Sequence, residues 1–338
     1  MTHDLTVHRR VFIGAAGAAL AWPMLARPSL VMADYLRAEC KGHPEKARFP
    51  VGDSYVVANL YRPRGPREHK LPAVVIAGSL TAVKEQMGGI YAIALAKRGF
   101  IALSIDYRNY GESGGQARQY EDPASKTADL IAATSFLAEH PDVDPTRLAL
   151  LGICTSGGTA LYAAARDARV GAVACVASHL AEPAITPTLY GGDEGVAERR
   201  AAGREARERF ERTGENQLIL AYSDVDQTSS HPGPNEYYMD PTRGGGVEAW
   251  QNQFAVMSWN PWLDFDPVSE AAKVTTPTLI VHSDECALPD QARKVYDLLA
   301  GPKTLHWTTG PHFEFYDGVE KVHDAVEAVS AHYQAHLG

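Results

Sequence analysis

Short, unbroken apolar runs separated by amphipathic stretches recur along most of this chain, and the two periods predict its elements. Runs at residues 73–77, 100–105, 147–151, 170–177, 278–282 and 303–307 are too short for helices and lack the alternation of a strand with one wet face. They read as strands covered on both sides. Helical patterns at 85–98, 124–139 and 159–166 fall between the first four of them. A β-rich stretch at 47–61, broken by the turn Gly52-Asp53-Ser54, precedes them as a strand pair. The last helix carries Val319, Val322, Val326, Val329 and Tyr333 on one stripe, which suits packing on a sheet. Buried strands alternating with helices define an α/β fold with a mainly parallel, doubly wound sheet.

Residues 180–273 interrupt that rhythm. A helix rich in Arg and Glu at 196–213 places Glu205/Arg209 and Glu208/Arg212 four apart, a solvated face worth about 0.2–0.5 kcal/mol per pair. Polar, Pro/Gly-punctuated segments come next, then the aromatics Trp250, Phe254, Trp259, Trp262 and Phe265. An insertion at this point would lie over the carboxyl edge of the sheet, where such folds bind ligands. The expected organisation is an export signal at 1–33, a core at 34–179 and 274–338, and a cap at 180–273. Trp259 and Trp262 of the cap, with Glu85 of the core, are the candidate substrate-binding residues.

The N-terminus reads as an address. Arg9 and Arg10 precede an apolar stretch at 11–26, and Val31-Met32-Ala33 offers a cleavage site. That stretch is shorter than the roughly 20 residues a membrane span requires, and Pro23 and Arg27 interrupt it. A twin-arginine signal is expected, giving a periplasmic or secreted protein with no stable membrane span once the signal is removed. Across 338 residues, 32 Lys and Arg against 41 Asp and Glu give a net charge of −9 with no basic block, which argues against a nucleic-acid partner. The four cysteines (Cys40, Cys154, Cys175, Cys286) form no C-x-x-C pair, so a zinc site lacks its spacing.

The strongest chemical signal is Leu151-Gly152-Ile153-Cys154-Thr155-Ser156-Gly157-Gly158, a strand running through small residues into a helix. A nucleophile held in such a tight turn needs small neighbours two positions before and after it, because bulkier ones would meet adjacent backbone. Two registers fit: Gly152-x-Cys154-x-Ser156 presents a cysteine, Cys154-x-Ser156-x-Gly158 a serine. The first gives the strand its one-residue exit after Leu151 and puts Gly157-Gly158 where helix and sheet approach, so Cys154 is the preferred nucleophile. The helix N-terminus behind it favours a thiolate.

These residues give the chain a resemblance to the α/β-hydrolase superfamily, in particular to the dienelactone hydrolase-related branch, in which cysteine can occupy the elbow. Also carrying the resemblance are Gly78-Ser79 with Lys84-Glu85-Gln86, the segment from Asp106 to Ser113, and Gly310-Pro311-His312-Phe313. It implies the chain order nucleophile, acid, histidine. His312, in a loop after the last strand, is then the expected acid/base. Asp284 is preferred over its neighbour Glu285 as the carboxylate that orients it. Backbone N–H groups of Ser79 and Thr155 are expected to form the oxyanion hole. Asp106 and Arg108 are expected to pair in a structural turn beneath the site.

The expected function is hydrolysis of small-molecule carboxylic esters or thioesters through an acyl-Cys154 intermediate, with no metal or organic cofactor. Acyl transfer from the same intermediate and non-catalytic binding of a small ligand are the alternatives.

Overall fold

The computed structural model describes residues 44–65 and 69–338. The expected export signal, with Arg9 and Arg10, and Cys40 lie outside the described residues. The hairpin comprises β1 (Glu45–Val51) and β2 (Ser54–Tyr61). The alternating part continues as β3 (Leu71–Ala77), α1 (Met87–Ala96), β4 (Ile101–Asp106), α2 (Pro123–Glu139), β5 (Val143–Ile153), α3 (Thr155–Ala164) and β6 (Val170–Val176). The insertion holds the long helix α4 (Gly192–Thr213) and, near its end, α5 (Pro267–Ala271). After it come β7 (Thr278–Ser283), α6 (Pro289–Leu298), β8 (Lys303–Thr308), α7 (Glu314–Asp317) and α8 (Val319–Leu337).

One eight-stranded sheet has the order β1-β2-β4-β3-β5-β6-β7-β8. The hairpin joins it antiparallel through β2 and β4, and all later neighbours are parallel. Successive residues of one strand supply opposite faces. Val74 and Ile76 join Tyr91, Leu95, Val322, Val326 and Tyr333 from α1 and α8. Ala73 and Val75 join Leu130, Leu137, Leu161, Ala292 and Val295 from α2, α3 and α6. Each fully buried Val, Leu or Ile contributes about 1.5–3 kcal/mol, so the two apolar layers fix the register of every parallel strand. Among the described residues, no helix is long and apolar enough to cross a membrane.

The segment between β6 and β7 is mostly short helices and two-residue strand pairs around α4. Its last helix behaves differently from the sequence expectation of a cap running to residue 273. Val268 and Ala271 of α5 are buried in the same layer as α3 and α6, so the return to the core begins near Pro267. On α4, Arg209 reaches Glu205 at 3.4 Å on the exposed face.

Candidate active site

β5 leads into α3 through Cys154, whose backbone sits at φ 57° and ψ −122°. Such a conformation costs a residue with a side chain about 1–3 kcal/mol, and the surrounding structure must hold it. The Cys154 N–H donates to the Val176 carbonyl at 3.0 Å, and its carbonyl accepts from Gly157 at 3.1 Å. Gly152 is required because a Cβ there would strike the Ser156 carbonyl. Gly152→Ala is expected to lose about 1–3 kcal/mol of stability through that overpacking, read from the urea midpoint at unchanged slope. Ser156, the serine of the alternative register, is fully buried inside α3. Its hydroxyl donates to the Gly78 carbonyl and is hydrogen-bonded to Tyr107 at 2.9 Å.

Cys154 is 8% exposed. Burial pushes its thiol above the usual 9, while hydrogen bonding from the Tyr316 hydroxyl and the amides of Thr155, His179 and Leu80 works in the opposite direction and favours the thiolate. Leu80 follows the expected donor Ser79 in the turn after β3. The hydroxyls of Ser79 and Tyr238 are hydrogen-bonded to each other. Tyr222 donates to the Leu80 carbonyl at 3.1 Å and stacks on Tyr238 with ring centroids 3.9 Å apart. Both tyrosines come from the insertion, so its walls brace the turn that faces the sulfur.

Beneath this turn lies an ion cluster built on the buried pair Lys84 and Asp106. Lys84 Nζ is 2.8 Å from Glu85, 2.8 Å from Asp106 and 2.7 Å from Glu112. Asp106 also accepts the Lys84 N–H at 2.7 Å and the Glu112 N–H at 2.9 Å. Lys84 is thus the partner of Asp106, whereas Arg108 pairs with Asp129. The expected Asp106–Arg108 pair is replaced because the chain bends after β4 and turns Arg108 toward α2. Glu85, the expected substrate-binding residue of the core, belongs to this ion cluster.

His312 lies beside Tyr316. Its Nε2 is 3.0 Å from the Tyr316 hydroxyl. Its Nδ1 accepts the Ala287 N–H at 3.3 Å. An amide N–H can only donate, so Nδ1 presents its lone pair and Nε2 carries the proton. Burial lowers the pKa of the ring to about 3, and the neighbouring His179 and His282 act in the same direction. The expected acid is not placed beside it. Asp284 is solvent-exposed and paired with Arg293, which also holds its carboxyl below the ordinary range. Glu285 accepts the Gly310 N–H at 3.1 Å. Both carboxylates leave the end of β7 on the outer side, and the buried ring finds a backbone amide instead. His282 is fully buried between the Ser283 carbonyl at 2.9 Å and the Ser178 carbonyl at 3.2 Å, a structural strut.

On the insertion side, Trp262 stacks on His179 at 5.9 Å and donates its indole N–H to Tyr190 at 2.6 Å. Trp262 therefore flanks a residue whose amide faces the sulfur. Trp259 packs against Tyr190, Phe254 and Arg199 and holds the insertion together. A cavity of ≈ 350 Å³, lined by Tyr190, Glu194, Glu198, Arg199 and Gln227 among others, opens on this side without reaching Cys154 or His312. Cys154, Cys175 and Cys286 are all free and buried. Among the described residues, no group of three or more His, Cys, Asp or Glu could hold a metal.

Three rings near the site, His179, His231 and His312, have pKa values lowered from 6.5 to about 4, 3 and 3, with burial the main cause. Each folds neutral and takes up a proton on unfolding below pH 6.5. Stability is therefore expected to be complete above that pH and to fall as pH drops toward 4, because the unfolded state binds more protons. Urea unfolding at stepped pH reads this, and His231→Gln should flatten the slope.

Sequence reasoning passed over His179, Tyr222, Tyr238 and Tyr316. Tyr316 alone had a local signal: it stands four residues after His312, one helical turn on.

The sheet order, the strand–turn–helix at Cys154 and the loop histidine after the last strand together define an α/β hydrolase. The sequence profile of the X-Pro dipeptidyl-peptidase (S15) family matches residues 53–314. The chain belongs to that family. It is 30% identical to an uncharacterized protein, PA2218, of Pseudomonas aeruginosa, over 83% of this chain and 77% of that one. The crystal structure of PA2218 superposes with a TM-score of 0.77 over 88% of this chain and 94% of that one, at 26% identity. The polyketide transferase claH of Penicillium crustosum is 26% identical over 80% of this chain and 90% of its own. The thiohydrolase aneE of Aspergillus aculeatus is 43% identical over 29% of this chain and 31% of its own. The α/β hydrolase GrgF from a Penicillium species has the same fold, with a TM-score of 0.72 at 20% identity over 87% of this chain and 98% of its own.

Proposed function

We propose that the protein cleaves carboxylic esters or thioesters through an acyl-Cys154 intermediate. The observation that carries this reading is the placement of Cys154 at a strained strand-to-helix junction with backbone amides converging on its sulfur. The amides of Leu80 and Thr155 approach from two different elements, and they suit the oxygen of a carbonyl bonded to that sulfur. Loss of one such donor typically costs about 2.7–4 kcal/mol of barrier. The name of the thiohydrolase relative supports a thioester among the acyl donors. The test is direct. Incubation with a short p-nitrophenyl ester or acyl thioester should leave one acyl group on the peptide containing Cys154, detected by mass spectrometry. Turnover without any such adduct, under conditions that trap a slow deacylation, would remove the reading.

A second outcome of the same intermediate is acyl transfer, which the polyketide transferase relative favours. Adding alcohol or amine acceptors and measuring the ratio of transfer product to free acid separates the two. We also propose that the enzyme works outside the cytoplasm, on the strength of Arg9 and Arg10 ahead of an apolar stretch. Replacing both arginines with lysine should retain the full-length chain in the cytoplasm, and undiminished export would refute this.

A further inference from the structure

Ser156, the serine of the second register, has no part in the acyl-Cys154 chemistry, yet its buried hydroxyl is hydrogen-bonded on two sides. β3 and β5 are parallel neighbours paired through Ala77 and Gly152, so the chain leaves both strands side by side. The turn that begins at Gly78 therefore runs next to the elbow at Cys154. Ser156, in the first turn of α3, ties the two together. Its hydroxyl donates to the Gly78 carbonyl, and the Tyr107 hydroxyl lies 2.9 Å from the same serine oxygen. A carbonyl can only accept, so the one Ser156 proton is committed to Gly78 and Tyr107 is the donor to Ser156. Tyr107, directly after β4, is buried as well.

The Gly78 carbonyl and the Ser79 N–H belong to one planar trans peptide and point in opposite directions. Holding the carbonyl therefore sets the direction of the N–H. The other polar groups of Ser79 are occupied: its carbonyl accepts the Ala82 N–H at 3.1 Å, and its hydroxyl is bonded to that of Tyr238. Ser79 is 1% exposed, and among the described residues none accepts its N–H. Buried amides are almost always paired, so a fixed, unpaired one beside a nucleophile marks a place for an acceptor that the substrate brings.

We propose that Ser156 is a positioning residue which, with Tyr107 behind it, holds the Gly78–Ser79 peptide so that the Ser79 N–H meets the acyl oxygen of the substrate. The proposal rests on the acyl-Cys154 reading and deepens it. As sulfur adds to the carbonyl carbon, negative charge develops on the oxygen opposite this amide. The donor was oriented when the chain folded, so no reorganisation accompanies the reaction. Glycine would satisfy the elbow's need for a small residue two places after Cys154, but it has no proton to offer Gly78.

The test compares two reactions of the same thiol. Acylation by a short p-nitrophenyl ester builds charge on the carbonyl oxygen, whereas alkylation by iodoacetamide displaces iodide and builds none there. In Ser156→Ala the rate of acyl-Cys154 formation should fall roughly 10–10²-fold, the scale of a misplaced group, while the alkylation rate at the same pH stays unchanged. Equal losses in both reactions would mean a displaced elbow, and no loss in either an idle hydroxyl; each result overturns the proposal. Should the alanine variant not fold, Tyr107→Phe removes the donor that commits the Ser156 proton and leaves the serine in place. Acylation should again fall relative to alkylation, and an unchanged ratio would overturn the proposal. The parent enzyme separates this claim from the one beneath it. An ester turned over without an acyl group ever forming on Cys154 refutes the acyl-cysteine reading, whereas acylation of Ser156→Ala at the parental rate refutes only the role of the serine.

Discussion

Cys154→Ala is expected to lower kcat for short acyl esters by a factor on the order of 10⁶, the scale reached when a covalent nucleophile is removed from a hydrolase. The fold should survive the change. Alanine fits the volume and keeps the amide bonds to Val176 and Gly157 that hold the turn. The variant should therefore melt within a few degrees of the parent while losing both turnover and alkylation by iodoacetamide at that position. Alkylation of the parent is itself expected to be slow at neutral pH, because burial keeps the resting sulfur a thiol. It should speed up as pH rises. Turnover in Cys154→Ala at anything near the parental rate would end the covalent reading.

Lys84→Met carries the largest expected effect on stability. The side chains of Lys84 and Asp106 are both at 0% exposure, and removing the cation leaves Asp106 buried without its main counter-charge. Breaking a buried pair in this way costs about 3–5 kcal/mol. Burial already raises the pKa of Asp106, with the Lys84 charge opposing the rise. Without that charge the carboxyl should hold a proton more readily. A group with a raised folded pKa is better tolerated as pH falls, so the deficit of the variant should narrow in mild acid and widen toward neutrality. Urea unfolding at several pH values measures this. Activity should fall alongside stability, since Asp106 also anchors the backbone of Lys84 at the end of the turn that supplies Leu80.

Much of this architecture was legible because it rests on local pattern. Unbroken runs such as Ala73–Ala77 could only be strands covered twice, and the glycine and small residues around Cys154 specified a tight junction. What escaped were placements set by long-range packing. Asp284 was plausible by position, immediately after a buried strand, yet the pull of Arg293 nine residues on takes it to solvent. Nothing in a linear pattern fixes whether a chain leaving a strand turns its carboxylate inward. Tyr222 and Tyr238 reach the sulfur's surroundings from a segment more than 60 residues further on in the chain, across an irregular region without periodicity.

The bracing of the Leu80 turn by Tyr222 and Tyr238 has an evolutionary corollary. Roof and foundation are one piece here: residues that would enclose an acyl group also hold a group expected to stabilise charge on it. Exchanging the whole segment between relatives would alter selectivity and rate together. New substrate ranges are better sought through single changes at Trp262 or His179, which leave both tyrosines in their stack.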